Sequence, residues 1–313
     1  MPIQTRTLQK EHLSRREFCA GLLGAAALAG AASSVRAEAW KPNYILASAL
    51  YGTFPLADIL PEIAKTGSAC LDVWCLKHGN QREQIEEMGH DAFSELLKKH
   101  GAKVGSFTNY PLGPFGLQPE IKILAKFGGS ILVTGSGGPK GLSGAAAKAE
   151  MAKFLEKMKP HADAAGAAGV KIAIENHSAS LLHHPDSLRA FVELNKHSSL
   201  GVALAPHHLH TFAEQIPQLI EDLGSHLIFF YAQEHGRGYT EKLPKNEELM
   251  QLPGFGGGLD YKPVLRALRK INYPGWIEIF MHPTPRGIPI LPRVAEVSAA
   301  VNKSRAYLEQ CLP

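Results

Sequence analysis

The 313-residue sequence predicts a single-domain α/β protein with the (β/α)8 TIM barrel fold. Short apolar runs alternate with longer amphipathic stretches along the chain, which is typical of parallel βαβ units. Eight such units favour a closed barrel, and residues 38–313 match the ~250 residues of a typical one. No Gly-x-Gly-x-x-Gly motif follows an early strand, which argues against a dinucleotide-binding fold.

The elements follow from the hydrophobic pattern in chain order. The eight strands are expected at Tyr44–Leu50, Ala69–Trp74, Lys103–Phe107, Ser130–Val133, Val170–Ile174, Leu200–Leu204, Leu227–Tyr231 and Trp276–Phe280. The helices are expected at Leu56–Lys65, His90–His100, Leu117–Phe127, Ala145–Ala168, Pro185–Lys196, Phe212–Leu223, Tyr261–Lys270 and Arg293–Leu308. Gly67, Gly101 and Gly169 follow helical stretches, where a left-handed residue commonly ends a helix.

The first 37 residues have the pattern of a twin-arginine signal peptide. Arg15 and Arg16 precede an apolar, Ala- and Gly-rich run, and Val35-Arg36-Ala37 resembles a cleavage site. The run is too short for a stable membrane anchor. We therefore expect export by the Tat translocase to the periplasm or another extracytoplasmic space, and a mature domain at residues 38–313.

The composition of the mature chain argues against two classes of protein. Residues 1–37 contain five of the 33 Lys and Arg residues and two of the 29 Asp and Glu residues, so the remainder is nearly neutral. A nearly neutral domain is not expected to bind nucleic acid. The cysteines Cys70, Cys75 and Cys311 form neither a disulfide framework nor a zinc motif.

Two Gly-rich loops are expected at the end of the barrel where catalysis usually takes place. One runs from Gly135 to Gly144, and the other contains Gly256-Gly257-Gly258. Backbone N–H groups of such a run can bind phosphate, although a flexible lid or turn is the more common use. We do not predict a phosphate site here.

Polar side chains with metal-binding ability follow four successive strands. The strands five to eight end in Glu175-Asn176-His177, His207-His208, Gln233-Glu234-His235 and Glu278-Ile279-Phe280-Met281-His282. The carboxyl ends of parallel barrel strands meet at one mouth, so these side chains are expected to converge. Imidazoles and carboxylates together suit one divalent ion such as Zn²⁺, Mn²⁺, Co²⁺ or Fe²⁺.

These strand ends resemble the xylose isomerase-like barrels, which include sugar isomerases, ketose 3-epimerases, inosose dehydratases and endonuclease IV-type enzymes. The resemblance covers the mature chain, but only its second half has specific motifs. It implies a metal-dependent sugar isomerase or epimerase that forms an enediolate by removing a proton next to a carbonyl.

The same resemblance implies a metal held by Glu, Asp, His and Glu on strands five to eight. Glu175 matches the first ligand, whereas Ala205, Tyr231 and Phe280 stand at the other three positions. A residue able to bind metal lies two positions beyond each of these, on the same face of the strand and ~6–7 Å nearer the mouth. Our hypothesis is a displaced metal site, with the ligands Glu175, His207, Gln233 and His282.

The remaining candidates are assigned to catalysis and substrate binding. The catalytic candidates are Glu278 and Glu234 as bases, His208 as the match to the family's substrate-contacting His, and His177 as a proton-transfer partner or second-layer residue. The substrate-binding candidates are Tyr51, Trp74, His78, Tyr110 and Arg286.

Two other functions, and a barrel without metal, stay open at this point. The same barrel can belong to a lyase or hydrolase of oxidised glycosides, which export favours slightly. It can also bind sugar without catalysis, or lack the metal altogether. An endonuclease would need a basic groove and more metal ligands, and export argues against it.

Overall fold

Eight parallel strands close into a barrel in the computed structural model, which describes residues 40–235 and 243–312. The strands are β1 Asn43–Ala47, β2 Cys70–Trp74, β3 Val104–Thr108, β4 Ile131–Gly135, β5 Lys171–Glu175, β6 Leu200–Leu204, β7 Leu227–Ala232 and β8 Trp276–Ile279. Each strand pairs with the next, and β8 closes on β1 with Glu278 opposite Ile45. The predicted single-domain barrel is confirmed. The predicted leader lies outside the described residues.

Helices occupy the connections between these strands. They span Leu56–Ile59, Glu62–Lys65, Gln81–Met88, His90–His100, Gln118–Lys126, Gly144–Ala167, Pro185–Leu194, Ile216–Leu223, Tyr261–Lys270 and Val294–Gln310. The helix at Gln81–Met88 was not predicted. None of the helices in the described part of the chain is long and apolar enough to cross a membrane.

Two predicted helices differ from the observed ones because of local backbone chemistry. The stretch predicted as Leu56–Lys65 is interrupted before Glu62, because Pro61 has no N–H with which to continue the first helix. The stretch predicted as Phe212–Leu223 becomes α-helical only at Ile216. The preceding residues 206–215 form 3-10 turns with non-helical backbone at Leu209 and Phe212.

The end of the His90–His100 helix illustrates how local sequence shapes the barrel wall. Phe93 and Leu97 are buried, and Gly101 adopts the left-handed conformation with φ 59°. Its N–H reaches the carbonyls of Leu97 and Lys98, which satisfies the helix end before β3 begins. The chain can therefore return to the barrel within a few residues.

Candidate active site at the mouth of the barrel

A cavity of ≈300 Å³ opens beyond the carboxyl ends of the strands. Its lining includes six of the residues predicted for the site, which are His78, Tyr110, Glu175, His177, His282 and Arg286. They follow β2, β3, β5 and β8, so closure of the barrel brings together side chains that are far apart in sequence. A cavity of this size suits a small ligand such as a monosaccharide.

Glu175 is the carboxyl group at this cavity. It ends β5, opposite Ala203 of β6, and only 6% of it is exposed. Burial raises its pKa to about 8, although the Tyr110 hydroxyl and the Arg286 charge oppose the rise. At neutral pH the carboxyl group is therefore mostly protonated and able to donate a hydrogen bond.

Two imidazoles lie beside this carboxyl group: His177 lines the cavity, whereas His208 is buried and is not among the lining residues. His208 Nε2 is 3.9 Å from Glu175 Oε1, and the ring centroids of His208 and His177 are 4.0 Å apart. Burial lowers the pKa of His177 to about 4 and that of His208 well below its usual range. Both rings are neutral at pH 7, and a neutral imidazole can accept a proton.

Arg286 provides the positive charge at the rim. Its Nη1 contacts His78 Nε2, and the His78 and His282 ring centroids are 5.1 Å apart. Burial first, and then the Arg286 charge, lower the pKa of His78 to about 3. The pKa of His282 falls well below its usual range for the same two reasons. His78 and His282 are therefore neutral imidazoles close to the exposed cation Arg286.

Aromatic rings form the floor beneath Glu175. Trp74 stacks on Phe280 with centroids 4.6 Å apart and planes 9° from parallel. The ring centroids of Tyr231 and Phe280 are 5.6 Å apart, and the Tyr231 hydroxyl is 3.4 Å from the Tyr110 hydroxyl. Tyr231 and Phe280 are the positions where the resemblance expects a His and a Glu ligand. Trp74, predicted to stack on a sugar, is 1% exposed and belongs to this floor.

A pair of buried carboxyl groups lies lower in the barrel. Asp72 of β2 accepts hydrogen bonds from the hydroxyls of Ser106 (2.6 Å) and Thr108 (2.7 Å), and Glu278 of β8 is its neighbour. Both carboxyl groups are 0% exposed, and neither lines the cavity. Glu278, predicted as a base, is therefore enclosed in the barrel. Asp72 was missed, although a lone charge in an apolar strand was a visible signal.

Glu234 is also separated from the cavity, because it binds the second Gly-rich loop. Its Oε1 accepts a hydrogen bond from Gly254 N at 2.9 Å, and backbone N–H groups of Gly257 and Gly258 further stabilise the carboxylate. A Cβ on Gly257 would lie 2.6 Å from Glu234 Oε2, so the loop closes tightly on it. The prediction of Glu234 as a free base is corrected: its carboxylate anchors this loop.

The four predicted metal ligands are not assembled into a metal centre. His207 Nδ1 donates to the Glu234 carbonyl at 2.9 Å, and the Gln233 amide donates to Gln251 Oε1 at 3.0 Å. Across residues 40–235 and 243–312, no three His, Cys, Asp or Glu side chains are grouped so that they could hold a metal ion. Of the four predicted ligands, Glu175 and His282 line the cavity, whereas Gln233 binds Gln251 and the Glu234 carbonyl orients the ring of His207.

Gln251 was not predicted from the sequence, yet it joins the ends of β7 and β8. Its amide nitrogen donates to the His282 carbonyl at 2.9 Å, and its amide oxygen accepts from His282 N at 3.2 Å. The same oxygen accepts from Gln233. These bonds hold the backbone of His282 at the cavity wall.

Tyr51 lies away from the cavity. It is 0% exposed, and its hydroxyl is 2.9 Å from that of Ser298 on the Val294–Gln310 helix. The Ser298 hydroxyl in turn donates to Glu62 at 2.6 Å. The prediction that Tyr51 binds substrate is corrected, since its hydroxyl joins two parts of the barrel wall.

Known proteins share this architecture. The family described as xylose isomerase-like TIM barrel matches residues 60–307. D-Allulose 3-epimerase from Methylomonas sp. has a TM-score of 0.64 and 16% identity, over 87% of this chain and 99% of that one. The IolI protein with a bound zinc atom has a TM-score of 0.66 and 15% identity, over 86% of this chain and 98% of that one. L-Ribulose 3-epimerase has a TM-score of 0.65 and 14% identity, over 87% of this chain and 95% of that one. No curated protein sequence matches the chain.

Proposed function

Because the chain belongs to the xylose isomerase-like TIM barrel family, we propose that it is a sugar isomerase or epimerase. Its reaction would move a proton on a carbon next to a carbonyl. The observation that carries the proposal is the contact set of Glu175, Tyr110 and His208 at the mouth of the barrel. The names of two structural neighbours, an allulose and a ribulose epimerase, support a ketose-like substrate.

The chain's own groups supply an acid and a base for this chemistry. His208, which is 5% exposed and contacts the cavity-lining residues Glu175 and His177, would take the proton from the carbon. The electron pair of the broken C–H bond then forms the new C=C bond. The carbonyl oxygen gains the negative charge, which hydrogen bonds from the Glu175 carboxyl group and the Tyr110 hydroxyl stabilise. Return of the proton to the former carbonyl carbon, while the hydroxyl hydrogen of the neighbouring carbon passes to the former carbonyl oxygen, gives an isomer. An epimer requires a second acid that protonates the original carbon from its opposite face.

His177 has a supporting role in this scheme. Its ring packs on that of His208 at 4.0 Å, and its Nδ1 accepts a hydrogen bond from the backbone N–H of Ala179 at 3.1 Å. The His177 ring is therefore held in one orientation. It limits the positions that His208 can adopt beside the substrate.

A divalent metal, which the family resemblance implies, would polarise the substrate carbonyl as a Lewis acid. The residues present do not fit it. Tyr231 and Phe280 stand at two of the ligand positions, and no three His, Cys, Asp or Glu side chains in the described residues are grouped to hold a metal ion. The proposed reaction therefore uses only the acid and base groups of the chain.

The experiment is exchange of substrate hydrogen with solvent deuterium, followed by NMR on a panel of ketoses. We expect E175Q and H208N each to lower the exchange rate about 10²- to 10⁴-fold, the usual contribution of general acid–base groups. E156Q is the matched control, because Glu156 is exposed on the Gly144–Ala167 helix. Unchanged exchange in both site variants would overturn the proposal.

Other results would point to another function. Products from 3-keto-glycosides but not from ketoses would indicate a lyase or hydrolase. Sugar binding without any turnover, retained in E175Q and E278Q, would indicate a binding protein.

We also propose that residues 1–37 direct export to the periplasm by the twin-arginine route. The support is the sequence pattern of Arg15-Arg16, the apolar run and Val35-Arg36-Ala37. An extracytoplasmic enzyme would meet free or glycosidic sugars.

A further inference from the structure

Arg286 has no carboxylate partner in the part of the chain that the structure describes. Its guanidinium contacts the neutral ring of His78, and the carboxyl group that shares the cavity is Glu175. Nearby acids are engaged elsewhere: Glu248 binds Lys245 at 2.6 Å, and Glu234 binds the Gly-rich loop. Arg286 is exposed and forms no ion pair with a described carboxylate, and such a cation at the edge of a cavity favours an anionic ligand.

The contact with His78 adds a second donor. His78 Nε2 faces an Arg286 N–H, so this nitrogen accepts, and the proton of the neutral ring resides on Nδ1. The guanidinium keeps further N–H groups in a planar fork that matches a carboxylate. Arg286 and His78 both line the cavity, and each has N–H groups, beyond their mutual contact, of the kind that bind an anion.

The surroundings favour a carboxylate over a phosphate. Backbone N–H groups of the loop around Gly257 bind Glu234, and Gly144 N, at the start of its helix, donates to Asp186 at 2.8 Å. Both Gly-rich loops therefore have some of their N–H groups engaged by the protein's own carboxylates. Among the described residues that line the cavity, Arg286 is the one cation, and it balances one negative charge.

We propose that the substrate is an acidic sugar, whose carboxylate binds Arg286 and His78 while its carbonyl lies beside Glu175. This rests on the proposed function and specifies its substrate class. The cavity of ≈300 Å³ suits one such monosaccharide. The carboxylate would fix the end of the sugar away from the reacting carbon, so that the same C–H bond is presented to His208 each time.

The test compares three ketoses that differ at carbon six: D-fructuronate, D-fructose and D-fructose 6-phosphate. Deuterium exchange gives kcat/KM for each, and calorimetry on the E175Q protein gives binding without turnover. We expect fructuronate to be preferred over both others. R286Q should lower kcat/KM and affinity about 10- to 100-fold more for fructuronate than for fructose. R266Q is the matched control, since Arg266 is exposed on the Tyr261–Lys270 helix.

Each contrary outcome has a distinct meaning. Equal losses for fructuronate and fructose in R286Q, or no preference for the acid in the parent protein, would overturn the acidic substrate. A preference for the phosphate would overturn the choice of carboxylate. Fructuronate binding that depends on Arg286, without exchange on any sugar, would support the anion site and contradict the proposed isomerase.

Discussion

Asp72 and Glu278 are neighbouring carboxyl groups inside the barrel, and their burial has a consequence for stability. Burial first, and then the charge of Asp72, raise the pKa of Glu278 well above its usual range. Burial also raises the pKa of Asp72. Two carboxylates this close are unfavourable when both are ionised, so the pair retains a proton more strongly in the folded protein than in the unfolded chain.

This pair predicts a stability that falls as pH rises. A carboxyl group with a raised folded pKa adds no penalty below its unfolded pKa of about 4.3, and the penalty grows as pH rises toward the folded pKa. E278Q removes the titration of the Glu278 carboxyl group. We expect E278Q to raise the Tm above that of the parent by more at pH 8 than at pH 4. Each kcal/mol of penalty that the substitution removes should raise the Tm by about 2–4 °C.

Calorimetric melting of the parent, E278Q and E156Q from pH 4 to 9 measures the effect. E156Q should follow the parent at each pH, since Glu156 is exposed. A Tm difference between E278Q and the parent that is the same at both ends of the range would contradict the prediction.

At the scale of elements, the strand ends decide which side chains reach the cavity. The ends of β5 and β8 place Glu175, His177 and His282 at its wall. In the segment after β7, Gln233 and Glu234 are buried and bind Gln251 and the Gly-rich loop. Four strand ends with polar residues therefore do not produce four converging side chains.

The residues at the expected ligand positions predict a low metal content. We expect elemental mass spectrometry to find far less than one equivalent of transition metal in the purified parent, with the same value in H207A and H282A. The reason is that Gln233 donates its amide to Gln251 and that aromatic rings replace two expected ligands. In addition, no three His, Cys, Asp or Glu side chains of the described residues are grouped to hold an ion.

Chelator treatment should likewise leave the Tm of the parent unchanged. About one equivalent of metal in the parent, lost in both His variants, would restore the displaced metal centre. H197A is a suitable control, since His197 binds Asp163 at 2.8 Å and does not line the cavity.

At the scale of the whole molecule, closure of the barrel creates the site. The pairing of β8 with β1 brings the loop that contains Arg286 beside His78, which follows β2. Closure also encloses the aromatic floor and the carboxyl pair below it. The cavity therefore has a polar wall above an apolar base, which is an arrangement suited to a small polar ligand.

The leader predicts where the whole protein works. We expect the full chain to appear in the periplasmic fraction with residues 1–37 removed. Replacement of Arg15 and Arg16 by Lys should retain the protein in the cytoplasm, because the twin-arginine route reads that pair. Immunoblots of cell fractions measure this, and R6K is a control outside the motif. Unchanged export of the double variant would contradict the Tat prediction.

Periodicity predicted most of the fold. All eight strands were placed correctly to within a few residues, and the His90–His100 and Tyr261–Lys270 helices were placed at their observed bounds. The errors at Pro61 and at residues 206–215 arose where backbone chemistry interrupts an apolar pattern. For the site, the pattern located the correct end of the barrel, and six of the predicted side chains line its cavity.

The sequence by itself therefore determined the barrel and its polar mouth, because alternation of strand and helix and residue type at strand ends are local properties. Only the tertiary structure decided which polar side chains face the cavity. Glu234 and Tyr51 turn toward partners distant in sequence, the Gly-rich loop and Ser298, while Asp72 meets Glu278 through closure of the barrel. Such pairings depend on how separate strands and loops pack, and no local pattern encodes that packing.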